Sequence, residues 1–398
     1  MRFSSKVNSS YYTNRFSEII KLKKEYKGEP PLIDFGIGED KSFPDLKIVS
    51  ELIIKNNRSC NHKYTDRGIS SLHDSILLYL QNRFGVSVTK DEIALTMGTK
   101  QGLGIIPSFM LDDGDIVATT KPGYVVLEKV ATLFNAKIIA LPLDENNNFL
   151  PDLSLIDEET WKKVKILSLN YPNNPTGAVY THEQLKEWVD YALENDAILL
   201  FDSAYECFIT DSSLPRSIYS VEGSKKCAIE FCSLSKTAGF TGIRCGYTIV
   251  PKKLKFDSSN GSKMSLNHMW NRRQTTKFNG VSYIVQKGAA AVFTEEGMAQ
   301  CLENIKYYQE NARIIANGLE KNGIRYFGGI NSPYIWFECP NHMDSWNFFD
   351  YLLENAQIVG TPGAGFGKNG QKYFRLTSFG NRENTLEAMD RIDKLFSY

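Results

Sequence analysis

No run of about 18 apolar residues occurs anywhere in this chain, so it carries no candidate membrane-spanning helix. The opening MRFSSKVNSSYYTNRF lacks an apolar core of signal-peptide length, which predicts a cytoplasmic protein. Charge imbalance is missing too: 46 Lys and Arg face 46 Asp and Glu, so no net field draws the chain toward nucleic acid or an anionic membrane. The seven cysteines are odd in number and show no C-x-x-C pair and no Cys/His grouping with zinc spacing. That pattern predicts a reducing compartment and no metal centre. There is no internal repeat, low-complexity tract or Pro/Gly/Ser-rich linker. What is there is an ordinary globular composition, 42% apolar and 23% charged over 398 residues, enough for a two-domain enzyme with a small-molecule ligand.

Between residues 93 and 250 short β-branched runs alternate with helix-period segments. Ile116 to Thr119, Lys137 to Leu141, Lys165 to Leu169, Ala197 to Asp202, Ala228 to Cys232 and Gly246 to Val250 read as strands. The alternation predicts a mostly parallel sheet covered by helices. Thr181 to Asn195 is one crossover helix, with Thr181 as N-cap and Leu185, Trp188, Val189 and Leu193 on its apolar face. A long helical pattern from Thr294 to Asn322 precedes strands Tyr334 to Cys339 and Tyr373 to Leu376, which alternate with helices Ser345 to Asn355 and Glu383 to Phe396. The expected division is a large domain over 40–285 and a smaller α/β domain made of 1–39 and 286–398.

Three glycine- or serine-containing stretches fail the motifs they resemble. Gly98-Thr-Lys-Gln-Gly-Leu-Gly104 follows a strand and opens a helix, but its glycines miss the G-x-G-x-x-G spacing of a dinucleotide turn. Gly363 to Asn369 looks like a P-loop, yet Pro362 takes the first glycine position and Asn369 replaces the magnesium-holding Ser/Thr. Ser233-Leu-Ser-Lys236 matches the S-x-x-K of penicillin-binding enzymes, with neither S-D-N nor K-T-G downstream.

The same Ser233-Leu-Ser-Lys236 carries a different chemistry in context. Lys236 follows an apolar strand, and strand ends of open α/β sheets are where ligands bind. A lysine desolvated there keeps a useful fraction of free amine and can form a Schiff base with an aldehyde; the cofactor aldehyde implied is pyridoxal phosphate. Its phosphate needs hydroxyls, amides and a cation, which Ser233, Ser235, Arg244 and the Gly98-Thr99-Lys100 segment supply. Its ring nitrogen stays protonated only beside a carboxylate, and Asp202 ends the strand Ala197 to Phe201. Tyr205 and Asn174, the latter in Tyr171-Pro-Asn-Asn-Pro-Thr-Gly177, are candidates to hydrogen-bond the phenolic oxygen. Tyr124, in Lys121-Pro-Gly-Tyr124, would lay its face on the ring. Taken singly, each of these has a plainer reading as a turn, cap or packing residue.

Together N-N-P-T-G, F-D-S-A-Y and S-L-S-K-x-x-x-x-x-G-x-R resemble the fold-type I, class I/II aminotransferases. Longer stretches narrow the resemblance to the LL-diaminopimelate aminotransferases: Leu32 to Gly38, Pro215 to Tyr219, Phe231 to Lys252, Phe278 to Gly280, Ser332 to Trp336, Gly360 to Gly367 and Phe374 to Gly380. The resemblance implies a large domain with a mostly parallel, mixed seven-stranded sheet beside a smaller α/β domain. It implies Lys236 as Schiff-base lysine, Asp202 on the ring nitrogen, Asn174 and Tyr205 on the phenolic oxygen, and Tyr124 stacked. It gives the phosphate to Thr99, Lys100, Ser233, Ser235 and Arg244, with Tyr64 reaching in from the other subunit of a homodimer. Arg375 would clamp the substrate carboxylate, helped by Gly38 and Asn279, with Lys100, Tyr124 and Asn174 also lining the substrate space.

The expected reaction moves an amino group between an amino acid and a 2-oxo acid, with LL-2,6-diaminopimelate and 2-oxoglutarate as the pair, in lysine biosynthesis. The alternatives are an aminotransferase of the same class acting on another amino acid, or a non-catalytic binder that keeps the fold. Two departures bear on the substrate. Asn14 stands where better-known members place a substrate-contacting tyrosine, unless Tyr11 or Tyr12 replaces it. Lys63-Tyr-Thr-Asp-Arg-Gly68 replaces their G-Y-G-x-E-Q-G, leaving Asp66, with a weaker claim for Glu39, as acceptor for the far amino group.

Overall fold

A computed structural model describes residues 15–36, 38–39, 44–257 and 261–396. Seven strands form the main sheet: Ile93–Thr96 (β1), Ile116–Lys121 (β2), Lys137–Pro142 (β3), Val164–Asn170 (β4), Ile198–Asp202 (β5), Ala228–Ser233 (β6) and Gly246–Ile249 (β7). Their order is β1-β7-β6-β5-β4-β2-β3. Every pairing from β6 through β3 is parallel, and β7 runs antiparallel to both β6 and β1. This is the mixed, mostly parallel sheet expected. Each residue of β5 and β6 is buried, Asp202 and Glu230 included, because both faces of the sheet are covered there.

Register decides where the chemistry falls. Asn170 pairs with Asp202, and Asp202 with Phe231, so β4, β5 and β6 end side by side and carry Asn170, Asp202 and Ser233 to one edge. The crossover between β4 and β5 is the helix His182–Glu194. Its Thr181 cap is the one expected, the Thr181 hydroxyl accepting from Gln184 N at 3.3 Å while the Gln184 side chain accepts from Thr181 N at 2.8 Å. Leu185, Trp188 and Val189 face the core, but Leu193 does not: it is 39% exposed, and Ala192 takes the buried position instead.

A second sheet is antiparallel, ordered β8-β9-β11-β10 from Tyr326–Gly328 (β8), Tyr334–Glu338 (β9), Thr361–Pro362 (β10) and Tyr373–Thr377 (β11). Near it Ile33–Asp34 pairs in parallel with Ile358–Val359. Ile19, Ile33 and Phe35 share one core with Ile315, Leu319, Phe349 and Phe374, so the N-terminal segment packs with the C-terminal part of the chain. Side chains of this size, fully buried, each contribute on the order of 2–3 kcal/mol. Helix Tyr283–Val292 instead packs Ala289, Ala291 and Val292 into the core of the seven-stranded sheet. The long helix Glu295–Lys321, capped by Thr294, joins both cores, through Cys301 at one end and Ala312, Ile315 and Leu319 at the other.

The two sheets meet at the N-N-P-T-G turn. Gly177 sits at φ +73°, and a Cβ there would lie 2.7 Å from Gly328 Cα and 3.1 Å from the Tyr334 carbonyl oxygen. Only a glycine lets the turn and the small sheet come this close.

Candidate active site

A cavity of about 670 Å³ opens at the carboxyl edge of β4, β5 and β6 and reaches across to β11. Lys236 stands at its centre. After β6 the chain makes one helical turn, Leu234–Thr237, begun by Ser233, whose hydroxyl accepts from Ser235 N at 3.1 Å. That turn lifts Lys236 into the cavity, where its ammonium donates to the Gly38 carbonyl and lies 5.2 Å from the centre of the Phe379 ring. Burial pulls its pKa from 10.5 to about 8; the Arg375 and Arg244 cations push the same way, and Glu39 opposes them. About a tenth of the amine is then uncharged at pH 7, which is what a nucleophile toward an aldehyde requires.

Asp202, at the end of β5, is 4% exposed. Its Oδ2 accepts from Asn170 Nδ2 at 3.2 Å, whereas Oδ1 has no hydrogen-bond partner among the described residues. Burial raises its pKa to about 7 against the pull of donors from the Ala204 backbone, Asn170 and Thr99. A buried carboxylate oxygen without a donor is costly, by several kcal/mol for the ion, and it fits a positively charged ring N–H placed in the same cavity.

Tyr205 and Asn174 line the cavity from neighbouring loops, and Tyr124 lines it beside Thr99. The hydroxyls of Tyr205 and Tyr334 share a hydrogen bond of 2.6 Å. Asn174 uses its side-chain oxygen to accept from Arg375 Nη1 at 2.6 Å, leaving its amide group as the donor available to a ligand. Burial pushes the Tyr124 hydroxyl well above its ordinary range, so that residue stays neutral.

Thr99, Lys100, Ser233, Ser235 and Arg244 converge on one flank of the same cavity. Arg244 is held by the carbonyls of Met97 and Thr241, each at 2.8 Å, and reaches the Ser235 hydroxyl at 3.4 Å. Gly98, at φ +84°, makes room for it, since a Cβ there would collide with Arg244 Nη2. A guanidinium, two serine hydroxyls and a threonine make a donor set that suits a phosphate.

Across the cavity Arg375 projects from β11. Its Nη2 donates to the Gly36 carbonyl at 2.8 Å and the Thr361 hydroxyl at 3.1 Å, and it lies 4.5 Å from the Tyr334 ring centre and 5.0 Å from that of Phe366. It is 4% exposed, its Nε has no partner, and no carboxylate pairs with it among the described residues. A buried cation balanced only by neutral groups is a receptor for an anion.

Gly38 and Glu39 also line the cavity, whereas Asn279, Tyr64 and Asp66 do not. Asn279, expected beside Arg375, instead accepts at its carbonyl from the backbone N–H groups of Thr65 and Asp66, at 3.1 and 3.2 Å. Tyr64 is in that same surface loop and is 80% exposed. Tyr64, Asp66 and Asn279 thus form one cluster outside the cavity of their own chain. Asn14, Tyr11 and Tyr12 lie outside the described residues. The cavity also holds residues not singled out from the sequence: Asn170, Thr361, Phe366 and Tyr334. Thr361 and Tyr334 fall within Gly360 to Gly367 and Ser332 to Trp336, but nothing in residue type marked them; Asn170 comes beside Asp202 only through the register of two strands.

Comparison with known proteins agrees with this geometry. The family described as aminotransferase class I and II matches residues 30–392. The LL-diaminopimelate aminotransferase of Methanosphaera stadtmanae is 44% identical over 400 residues, 96% of this chain and 95% of the relative. That of Lawsonia intracellularis is 43% identical, over 97% of this chain and 96% of the relative. Among solved structures, L,L-diaminopimelate aminotransferase from Chlamydomonas reinhardtii superposes with a TM-score of 0.89 at 32% identity, covering 100% of this chain and 99% of that one. With its fold, its cavity and these relatives in agreement over nearly the whole length, the chain belongs to the class I and II aminotransferases.

Proposed function

We propose that this enzyme transfers an amino group between LL-2,6-diaminopimelate and 2-oxoglutarate, using pyridoxal phosphate, as a step of lysine biosynthesis. The observation that carries the reading is the meeting of Lys236, the unpartnered Asp202 Oδ1 and the carboxylate-free Arg375 in a single cavity. The names carried by the 44% and 43% identical relatives support the choice of substrate.

The donor set fits the cofactor. Ser233, Ser235, Thr99, Lys100 and Arg244 would hold its phosphate, Asp202 its ring nitrogen, and Asn174 and Tyr205 its phenolic oxygen, with Tyr124 on the ring face. When bound, pyridoxal phosphate supplies an aldehyde that accepts amino groups and a ring that delocalises the electrons left when a Cα–H bond breaks. Arg375 orients the substrate by a bidentate bond to its α-carboxylate, with Gly38 and Lys100 also lining the substrate space. Lys236 Nζ, uncharged in a useful fraction, takes the proton from Cα. Asp202 holds its proton partner because the neutral acid would forfeit the charge pair.

Tyr64, Asp66 and Asn279 belong in this reading to the cavity of a second copy of the chain, so the working unit is a homodimer in the cytoplasm. In this reading the large domain is 40–285 and the small domain 1–39 with 286–398, and helix Tyr283–Val292, which spans the boundary, packs with the seven-stranded sheet. The test is a panel of amino donors with 2-oxoglutarate, following glutamate. LL-diaminopimelate should give the highest kcat/KM, and a panel led by another amino acid would leave the aminotransferase and replace its substrate.

A further inference from the structure

Tyr334 lies between the two halves of the cavity and touches both. It opens β9, is 1% exposed, and is fixed by its backbone: its carbonyl accepts from Gly329 N at 2.9 Å, its N–H donates to Ser332 Oγ at 3.2 Å, and Gly177 packs against the same carbonyl. The side chain therefore has little freedom. Its hydroxyl shares a hydrogen bond of 2.6 Å with that of Tyr205, with the two rings edge-on at 5.1 Å and 76°. Its face carries the Arg375 guanidinium at 4.5 Å. On the third side is Gly38, where a Cβ would come within 3.0 Å of the Tyr334 oxygen.

We propose that Tyr334 is a positioning residue that keeps Tyr205 oriented as a donor toward the cofactor's phenolic oxygen and couples that bond to the charge on Arg375. This rests on the reading of the site given above. Tyr205 has one hydroxyl proton, so when it is given to the phenolic oxygen the bond between the two tyrosines must run from Tyr334 to Tyr205. Successive hydrogen bonds polarise one another, so Tyr334 makes Tyr205 a stronger donor than it would be alone. A cation on a phenol's face draws electron density from the ring, which strengthens the hydroxyl as a donor. Arg375 thus acts on the phenolic oxygen through two tyrosines without touching it. The other titratable or charged groups that line the cavity around the pair are Tyr124, Asp202, Lys236 and Arg244.

The test is a spectrophotometric pH titration of the holoenzyme's visible cofactor band in the wild type, Tyr334→Phe, Tyr205→Phe and the double variant. Donors to the phenolic oxygen favour the form that has lost its proton, so Tyr334→Phe should raise the midpoint by about half a unit to one unit. In the Tyr205→Phe background the same substitution should add almost nothing, because its route is gone. kcat/KM should fall roughly threefold to tenfold for amino and 2-oxo acids alike. An unchanged midpoint in Tyr334→Phe, or an equal shift with and without Tyr205, would overturn the proposal, even if thermal stability fell. A wild-type protein with no visible band on cofactor addition would overturn the proposed function itself, and the relay with it.

Discussion

Arg375 Nη1 donates to Asn174 Oδ1 at 2.6 Å, and this one bond joins the antiparallel sheet to the turn that follows β4. The residue proposed to grip the substrate carboxylate is thereby in contact with a residue proposed to hold the cofactor. The guanidinium also spans Gly36 and Thr361, so its plane is set before any substrate arrives.

Arg375→Lys tests that geometry. A lysine keeps the charge but not the planar fork, and it cannot bond Asn174, Gly36 and Thr361 while also presenting two parallel donors. We expect kcat/KM to fall about a hundredfold for both the amino acid and the 2-oxo acid, mostly through KM. Steady-state kinetics with each substrate varied in turn checks it; loss for only one of the two would reassign Arg375 to a side-chain contact.

The buried ionisable groups predict opposite pH behaviour for protein stripped of cofactor. Asp202 has a folded pKa raised to about 7, so folding binds its proton more tightly than the unfolded chain does. Its contribution is intact below about pH 4 and is lost as pH rises through 7. Lys236 is depressed to about 8, so stability is recovered as pH rises from about 8 to 10.5. Asp202→Asn should therefore stabilise the apo-protein at pH 8 by roughly 1–3 kcal/mol and yet weaken cofactor binding. Urea titrations of apo and holo forms at pH 5 and pH 8 decide it, and a variant less stable than wild type in the apo form at pH 8 would contradict the assignment.

Shared cavities predict complementation. In a mixed dimer Tyr64→Phe and Lys236→Ala fall in the same cavity, leaving the other cavity with neither. Mixing the two inactive or weakened proteins under subunit exchange should recover activity, up to about a quarter of wild type if exchange is random and the cavities act independently. Activity that stays at the sum of the parents, or an active monomer in sedimentation, would put Tyr64 outside the site.

The far amino group of LL-diaminopimelate needs an acceptor, and Asp66 is the carboxylate the exposed loop offers. The loop is held in place by Asn279, and Gly280, at φ +95°, packs so tightly on it that a Cβ would strike the Thr65 hydroxyl. Asp66→Asn should lower kcat/KM for LL-diaminopimelate by about tenfold to a hundredfold while sparing glutamate. Equal losses on both substrates would mean that Asp66 shapes the loop rather than reading the ammonium.

Much of this was legible from residue order. The strands of the main sheet follow β-branched runs bounded by turns, and Asn174, Asp202 and Lys236 fall just after strand ends, where an open sheet places its ligands. Thr181 announced its helix through side-chain chemistry that acts within four residues. What could not be read is whatever depends on contacts between distant segments. Tyr334 and Tyr205 are 129 residues apart, and no local pattern reveals that their hydroxyls meet. Which core receives the apolar face of Tyr283–Val292 is likewise beyond periodicity, which identifies such a face without saying what it packs on. Asn279 was expected beside Arg375, and its place with Tyr64 and Asp66 emerges only from the backbone bonds that hold that loop.

The account turns on Lys236 acting on LL-diaminopimelate. Holoenzyme mixed with this one substrate, without any 2-oxo acid, should lose its visible cofactor band within a single turnover and regain it on addition of 2-oxoglutarate. Lys236→Ala should hold no borohydride-trappable cofactor and show no such cycle. A wild-type band that LL-diaminopimelate leaves unchanged while another amino acid bleaches it, or a Lys236→Ala protein that cycles like the wild type, would contradict the account.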